Sequence, residues 1–228
     1  MNSQDQPEVG RGILARGAAV VYRYLVLEFL LVATCLPTLV VMVLLGRDAS
    51  NVPLFALALL PVAPALSAAL GAIQGWHAEP DMSPARPFWL AYRRDFFDVL
   101  KWSAPLLVVL ALLGFNITHL GVVPGAGVLR PVLVFVAVAV MVLGGLMLVI
   151  TANFSFRAID TARIAVASVI PSWRVSTGVL ALGLVAGAVV FQFSEAVLLL
   201  FAWAFPAVLS PLSQSLVADV TERFTTHD

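Results

Sequence analysis

The sequence predicts an all-α membrane protein, a six-helix transmembrane bundle with one or two cytoplasmic interfacial helices, and three observations carry that prediction. The first is composition. Of 228 residues, 61% are hydrophobic and 11% charged, with a mean hydropathy of +1.00, whereas soluble domains run at about 45–50% apolar and about 25% charged. The second is length, because apolar runs long enough to cross a bilayer recur along the chain. The third is the placement of basic residues in alternate connections, the pattern that fixes membrane orientation. The 13 basic and 13 acidic residues cancel, so no global field favours nucleic acid, and none is expected as a partner.

Residues 1–19 are read as a cytoplasmic tail, polar and without apolar periodicity. The first span covers residues 24–45. It exceeds the apolar core of a signal peptide, so it is expected to be retained although Leu31-Val32-Ala33-Thr34-Cys35 loosely resembles a lipoprotein cleavage site. The single Cys35 has no partner for an internal disulfide and reads as a small packing residue. Pro37 lies inside this span, and Pro61 and Pro64 lie inside the second, residues 52–73, so kinks are expected at each. The second span also carries Gly71-Ala72-Ile73-Gln74-Gly75, whose four-residue glycine spacing lets helix backbones approach.

Residues 84–102 gather charge and aromatic rings between two apolar runs. At about 100° per residue, Phe88, Tyr92, Phe96, Trp89, Val99 and Leu100 share one arc, with Arg94, Asp95, Asp98 and Lys101 largely opposite. An amphipathic helix on the membrane surface is predicted, its start favoured by Pro84 and Pro87, its rings in the interface and its arginines on anionic lipid headgroups. Arg94 and Asp98 are spaced to pair. Phe97 falls outside the arc and is assigned a second contact, with the bundle or a partner. Phe88, Trp89, Tyr92, Arg93, Arg94, Phe96, Phe97 and Lys101 are therefore the candidate interfacial or partner-binding residues.

The third and fourth spans cover residues 103–123 and 131–151. Residues 153–174 mix Phe154, Phe156, Ile159 and Trp173 with Arg157, Arg163 and Arg174, and predict a second interfacial helix before Pro171. Two basic loops sharing one membrane surface explain both segments; a weak parallel repeat is the alternative. The last apolar region, residues 175–217, is too long for one span and is interrupted by Gln192, Ser194 and Glu195. It reads as a helical hairpin, with Gly183-Leu184-Val185-Ala186-Gly187 as a second small-residue face, and residues 219–228 form a cytoplasmic tail. The membrane domain thus covers residues 20–218. With six spans, Arg11, Arg16, Arg23, Arg86, Arg93, Arg94, Lys101, Arg157, Arg163, Arg174 and Arg223 lie on one side, against Arg47 and Arg130 on the other. Both termini are then cytoplasmic in a multi-pass inner-membrane protein.

Leu36-Pro37-Thr38, Pro64-Ala65-Leu66-Ser67-Ala68-Ala69-Leu70 and the segment from Phe88 through Phe96 together make residues 24–102 resemble the YesL-like family of bacterial integral membrane proteins, whose biochemical activity is unknown. The resemblance implies a cell-membrane protein associated with bacterial carbohydrate uptake or polysaccharide utilisation. It supplies no catalytic residues.

Motifs for chemistry are sparse. His77, Glu79 and Asp81 share a loop without the further ligands of a metal site, and Gly125-Ala126-Gly127 lacks the strand-to-helix context of a phosphate loop. No catalytic, cofactor-binding or metal-binding residue is assigned, and the chain is not expected to be an enzyme. Glu28 is the candidate intramembrane polar site, as the acidic residue within an early span. It is expected near the cytoplasmic interface, paired with Arg23 or a loop arginine; the alternative is a cation or substrate site. Two functions follow: a non-enzymatic accessory or scaffold protein contacting lipid and a transporter protein, or a small permease or permease component for a sugar or other small solute.

Overall fold

The computed structural model describes residues 13–46, 48–78, 83–120 and 126–224. Among them the chain is helical throughout, without strands. The helices are α1 (Ile13–Leu44), α2 (Val52–Ala58), α3 (Val62–Ala78), α4 (Ala85–His119), α5 (Ala126–Asn153), α6 (Ala158–Ser168), α7 (Trp173–Gln192), α8 (Glu195–Leu200) and α9 (Ala204–Phe224). Five helical stretches are long and apolar enough to cross a membrane: Gly17–Leu44, Val52–His77, Ala85–His119, Gly127–Asn153 and Trp173–Gln192. The terminal boundaries move outward from those expected. α1 begins at Ile13, inside the expected tail, and α9 runs to Phe224.

Proline chemistry sets the shape of the second span. Pro61 offers no N–H, and the helix is interrupted there: Leu60 N–H donates to Leu57 O and Val62 N–H to Leu59 O, the tighter i→i−3 pattern. Pro64 falls in the first turn of α3, where its missing donor has no acceptor to lose. The Ala58 carbonyl at the break instead accepts a 2.6 Å bond from Thr38 Oγ1 of α1. The expected kink at Pro61 is therefore a break, stapled to the first helix; α1 itself continues through Pro37.

Small residues set the packing. Cβ atoms built on Gly71 and Gly75 would lie 2.8 Å from the Cβ atoms of Ala91 and Pro87 respectively. Four residues forward on α3 thus match four residues back on α4, so the two helices form an antiparallel seam closed by glycine. Hydrocarbon gives apolar helices no hydrophobic reason to associate, and close backbone approach supplies dispersion contact instead. Gly145 against Val179 and Gly183 against Met141 repeat the device between α5 and α7, whereas a Cβ on Gly187 would meet nothing within 4 Å. Half of the second predicted face is therefore used. Cys35 is buried in the cluster formed by α1, α3 and α4 with Leu27, Leu31, Ala68, Ala72, Trp76 and Phe88.

Two expectations for the connecting segments change. No boundary separates residues 85–102 from residues 103–119; together they form one 35-residue helix, α4, with Pro84 at its N-cap. The charges that end a hydrocarbon segment do not end a helix, and no glycine or proline lies between Lys101 and Ser103. Residues 153–174 instead contain the separate helix α6, followed by a turn through Pro171. The two segments therefore differ in architecture, and the repeat suggested by their composition is not reproduced.

The chain reverses at Phe193–Ser194, where the interruption by Gln192, Ser194 and Glu195 predicts a hairpin. Ser194 Oγ accepts from Val197 N–H at 3.4 Å and caps α8, and Leu212 of α9 packs on Gly178 of α7. The returning limb is not one helix. It breaks over Phe201–Trp203, separating the six-residue α8 from α9.

Candidate functional site

α4 has two faces. The buried one carries Phe88, Ala91, Asp95, Val99 and Trp102, spaced at three and four residues so that they align along one side. This side is rotated from the predicted arc: Phe88 is 0% exposed and Val99 is buried, but Trp89 is 41% exposed. Phe97, expected outside the arc, is 69% exposed. The rings nevertheless form a chain along the helix, from Phe88–Tyr92 at 5.9 Å through Tyr92–Phe96 at 5.3 Å to Phe96–Phe97 at 5.3 Å. Tyr92 and Phe96 flank the buried side, half-buried. The outward face presents Trp89, Leu90, Arg93, Arg94, Phe97 and Lys101, all exposed. Phe97's assigned second contact is thus not with the bundle.

Asp95 departs furthest from expectation. Predicted opposite the apolar arc, it is instead buried, and both carboxylate oxygens accept from Arg94, Nε at 2.7 Å and Nη2 at 2.8 Å. This forked pair replaces the expected Arg94–Asp98 contact, because the carboxylate taken out of solvent needs the fuller set of donors. Asp98 pairs with Lys101 at 2.8 Å. α6 also shows an outward face, with Ile159 and Val166 exposed, continued by Ile170 in the turn that follows, and Arg174 lies 5.8 Å from the ring of the exposed Trp173.

The second candidate, Glu28, lies one turn beyond Tyr24 on α1. Its Oε2 accepts the Trp203 N–H at 2.9 Å, joining residues 175 apart in sequence. The break before α9 leaves that donor without a carbonyl of its own helix, and the carboxylate fills the role of an N-terminal cap. The rings of Tyr24, Trp76 and Trp203 gather beside it, with Tyr24 centred 5.7 Å from Trp76 and 5.2 Å from Trp203. Among the described residues no basic side chain pairs with Glu28, and its Oε1 is buried without a hydrogen-bond partner. The expected pairing with Arg23 or a loop arginine is replaced by a backbone contact, since the broken helix brings an unpaired N–H within reach. Sequence reasoning missed Trp203. Its signal is an aromatic-rich stretch, Phe201-Ala202-Trp203, followed by Pro206.

The loop motif with His77 is described only in part: Glu79 and Asp81 lie outside the described residues, as does Gly125 of the separate Gly125-Ala126-Gly127 stretch, and His77 Nδ1 lies 2.7 Å from Ile73 O. Among the described residues no three His, Cys, Asp or Glu side chains gather as metal ligands.

The fold defines an all-helical, multi-pass membrane protein. No family model, curated protein or solved structure matches the chain.

Proposed function

We propose that this chain is a non-enzymatic accessory or scaffold protein of the bacterial inner membrane. It crosses six times with both termini cytoplasmic, α8 and α9 together making the last crossing. The outward face of α4 is its docking surface, for anionic lipid headgroups and a transporter protein; α6 shares the same interface. The observation that carries this reading is the division of α4: one side is sealed against α3, while Trp89, Leu90, Arg93, Phe97 and Lys101 remain exposed. Aromatic and cationic side chains on one rigid face are what protein interfaces and headgroup regions recognise. Membership of the YesL-like family, and with it a role beside carbohydrate uptake, belongs to the same proposal.

The test is affinity purification from native membranes, comparing the parent chain with Arg93→Ala/Arg94→Ala. The parent retains a transporter polypeptide and anionic lipid and the variant loses both. Equal recovery from the two counts against the reading.

A second reading, a small permease, is favoured by the half-buried Glu28, whose carboxylate caps a helix break and keeps one buried oxygen without a partner. Broken helices and intramembrane carboxylates are common where solutes bind within membranes. Reconstituted vesicles with no flux across a panel of sugars, organic cations and inorganic ions weigh against it.

A further inference from the structure

A cavity of about 300 Å³ lies at the meeting point of α3, α4, α5, α7 and α9. Its origin is readable in the sequence. The helix break at Pro61 separates Leu59 from Val62 at one wall, Gly144, Gly145 and Gly183 withhold side chains at another, and Pro206 enters from α9. The wall is otherwise formed by Leu, Val, Ala, Met and Phe, and carries no ionisable side chain. A half-open apolar pocket of this kind takes apolar ligands.

Two wall residues break the apolar pattern. Trp102 and Ser103, 6% and 2% exposed, have a buried Nε1 and Oγ with no hydrogen-bond partner. A buried donor without a partner is costly, so two of them on residues that line one apolar pocket are informative. A second apolar pocket lies next to the first. A groove of about 490 Å³ between α2 and α4 is lined by the exposed Leu57, Val108 and Leu112, and Leu107 belongs to both groove and cavity.

We infer that the cavity binds an uncharged lipid-soluble molecule, an apolar chain bearing one acceptor oxygen. The chain passes from the bilayer along the α2–α4 groove past Leu107. Its oxygen accepts from Ser103 and Trp102, whose side chains turn toward the cavity as the ligand arrives, since both donor atoms are shut off from solvent before binding. A carboxylate is disfavoured because no cation lines the wall to compensate its desolvation. This site is independent of the docking face on α4, and either stands if the other fails.

The test uses three radiolabelled probes of equal chain length, oleyl alcohol, 1-octadecene and oleate, with the full chain purified in mild detergent. The parent protein retains the alcohol at least about tenfold over the alkene, the ratio that either one of the two hydrogen bonds supplies, and likewise over oleate. Trp102→Phe/Ser103→Ala lowers alcohol retention to the alkene level, and Ala63→Phe, which fills the cavity, lowers retention of both. Equal retention of alcohol and alkene by the parent, no retention of any probe, or an unchanged preference in the double variant overturns the assignment. The double variant removes both donors and keeps a ring at position 102; it is read as the ratio of alcohol to alkene, because the volume lost from Trp102 affects both probes alike, so the test survives failure of Ala63→Phe to fold.

Discussion

Gly71→Ala tests the seam that orients α4. The added methyl carbon would stand 2.8 Å from Ala91 Cβ, where carbon atoms at rest keep about 3.5–4.0 Å. Relief requires α3 and α4 to part by roughly 1 Å at a point where both backbones are already close, loosening the contacts of Phe88 and Ala91 with Ala68, Ala72 and Trp76. Overpacking of this kind costs about 1–3 kcal/mol, a factor of roughly 5 to 160 in the folded ratio. The control is Gly187→Ala on α7, where a Cβ meets nothing within 4 Å and the exchange gains about 0.5–1 kcal/mol of helix propensity. Thermal unfolding in mild detergent, followed by tryptophan fluorescence, should therefore lower the midpoint for Gly71→Ala and leave it equal or raised for Gly187→Ala. Equal stability of the two variants would refute the glycine seam.

Removing the side chain in Glu28→Ala leaves the Trp203 N–H unpaired and should destabilise by about 1–3 kcal/mol, while Glu28→Gln keeps an acceptor and should retain most of the stability; unfolding midpoints of the pair check this, and equal losses contradict the capping role. Thr38→Val removes the 2.6 Å bond to Ala58 O with little change of shape and should cost about 1 kcal/mol, read the same way. Gly145→Ala drives a Cβ onto Val179; Val179→Ala in the same chain should restore the lost stability, and failure of that rescue breaks the assignment of the α5–α7 contact.

Much of the fold is legible in the sequence because membranes impose a length rule on apolar runs. The glycine spacing at Gly71 and Gly75, the hairpin signal at Gln192–Glu195 and the helix breaker at Pro61 each have a local cause that the residues themselves carry. The orientation of α4 does not. Lipid and protein interior are equally apolar, so periodicity finds an apolar face without saying which one α3 covers, and the face came out rotated toward Ala91 and Asp95. Asp95 shows the same limit more sharply, since an aspartate in a charged stretch gives no sign of burial until its neighbours are known. The contact from Glu28 to Trp203 depends on two remote segments and on the break after α8, for which Pro206 is a weak local signal. Of the candidate residues, Trp89, Arg93, Arg94, Phe97 and Lys101 lie on the outward face as a group, whereas Phe88 belongs to the core.

The outward face of α4 either meets a partner protein or faces lipid alone. Photocrosslinking from a benzoylphenylalanine placed at Phe97, 69% exposed, and compared with the same group at Phe135 of α5, 74% exposed, matches the positions in exposure and separates them in surroundings. In native membranes, position 97 is predicted to yield an adduct with a transporter polypeptide that position 135 does not yield and that Arg93→Ala/Arg94→Ala abolishes. Lipid adducts alone at both positions, in the same proportions, would contradict the docking role of α4.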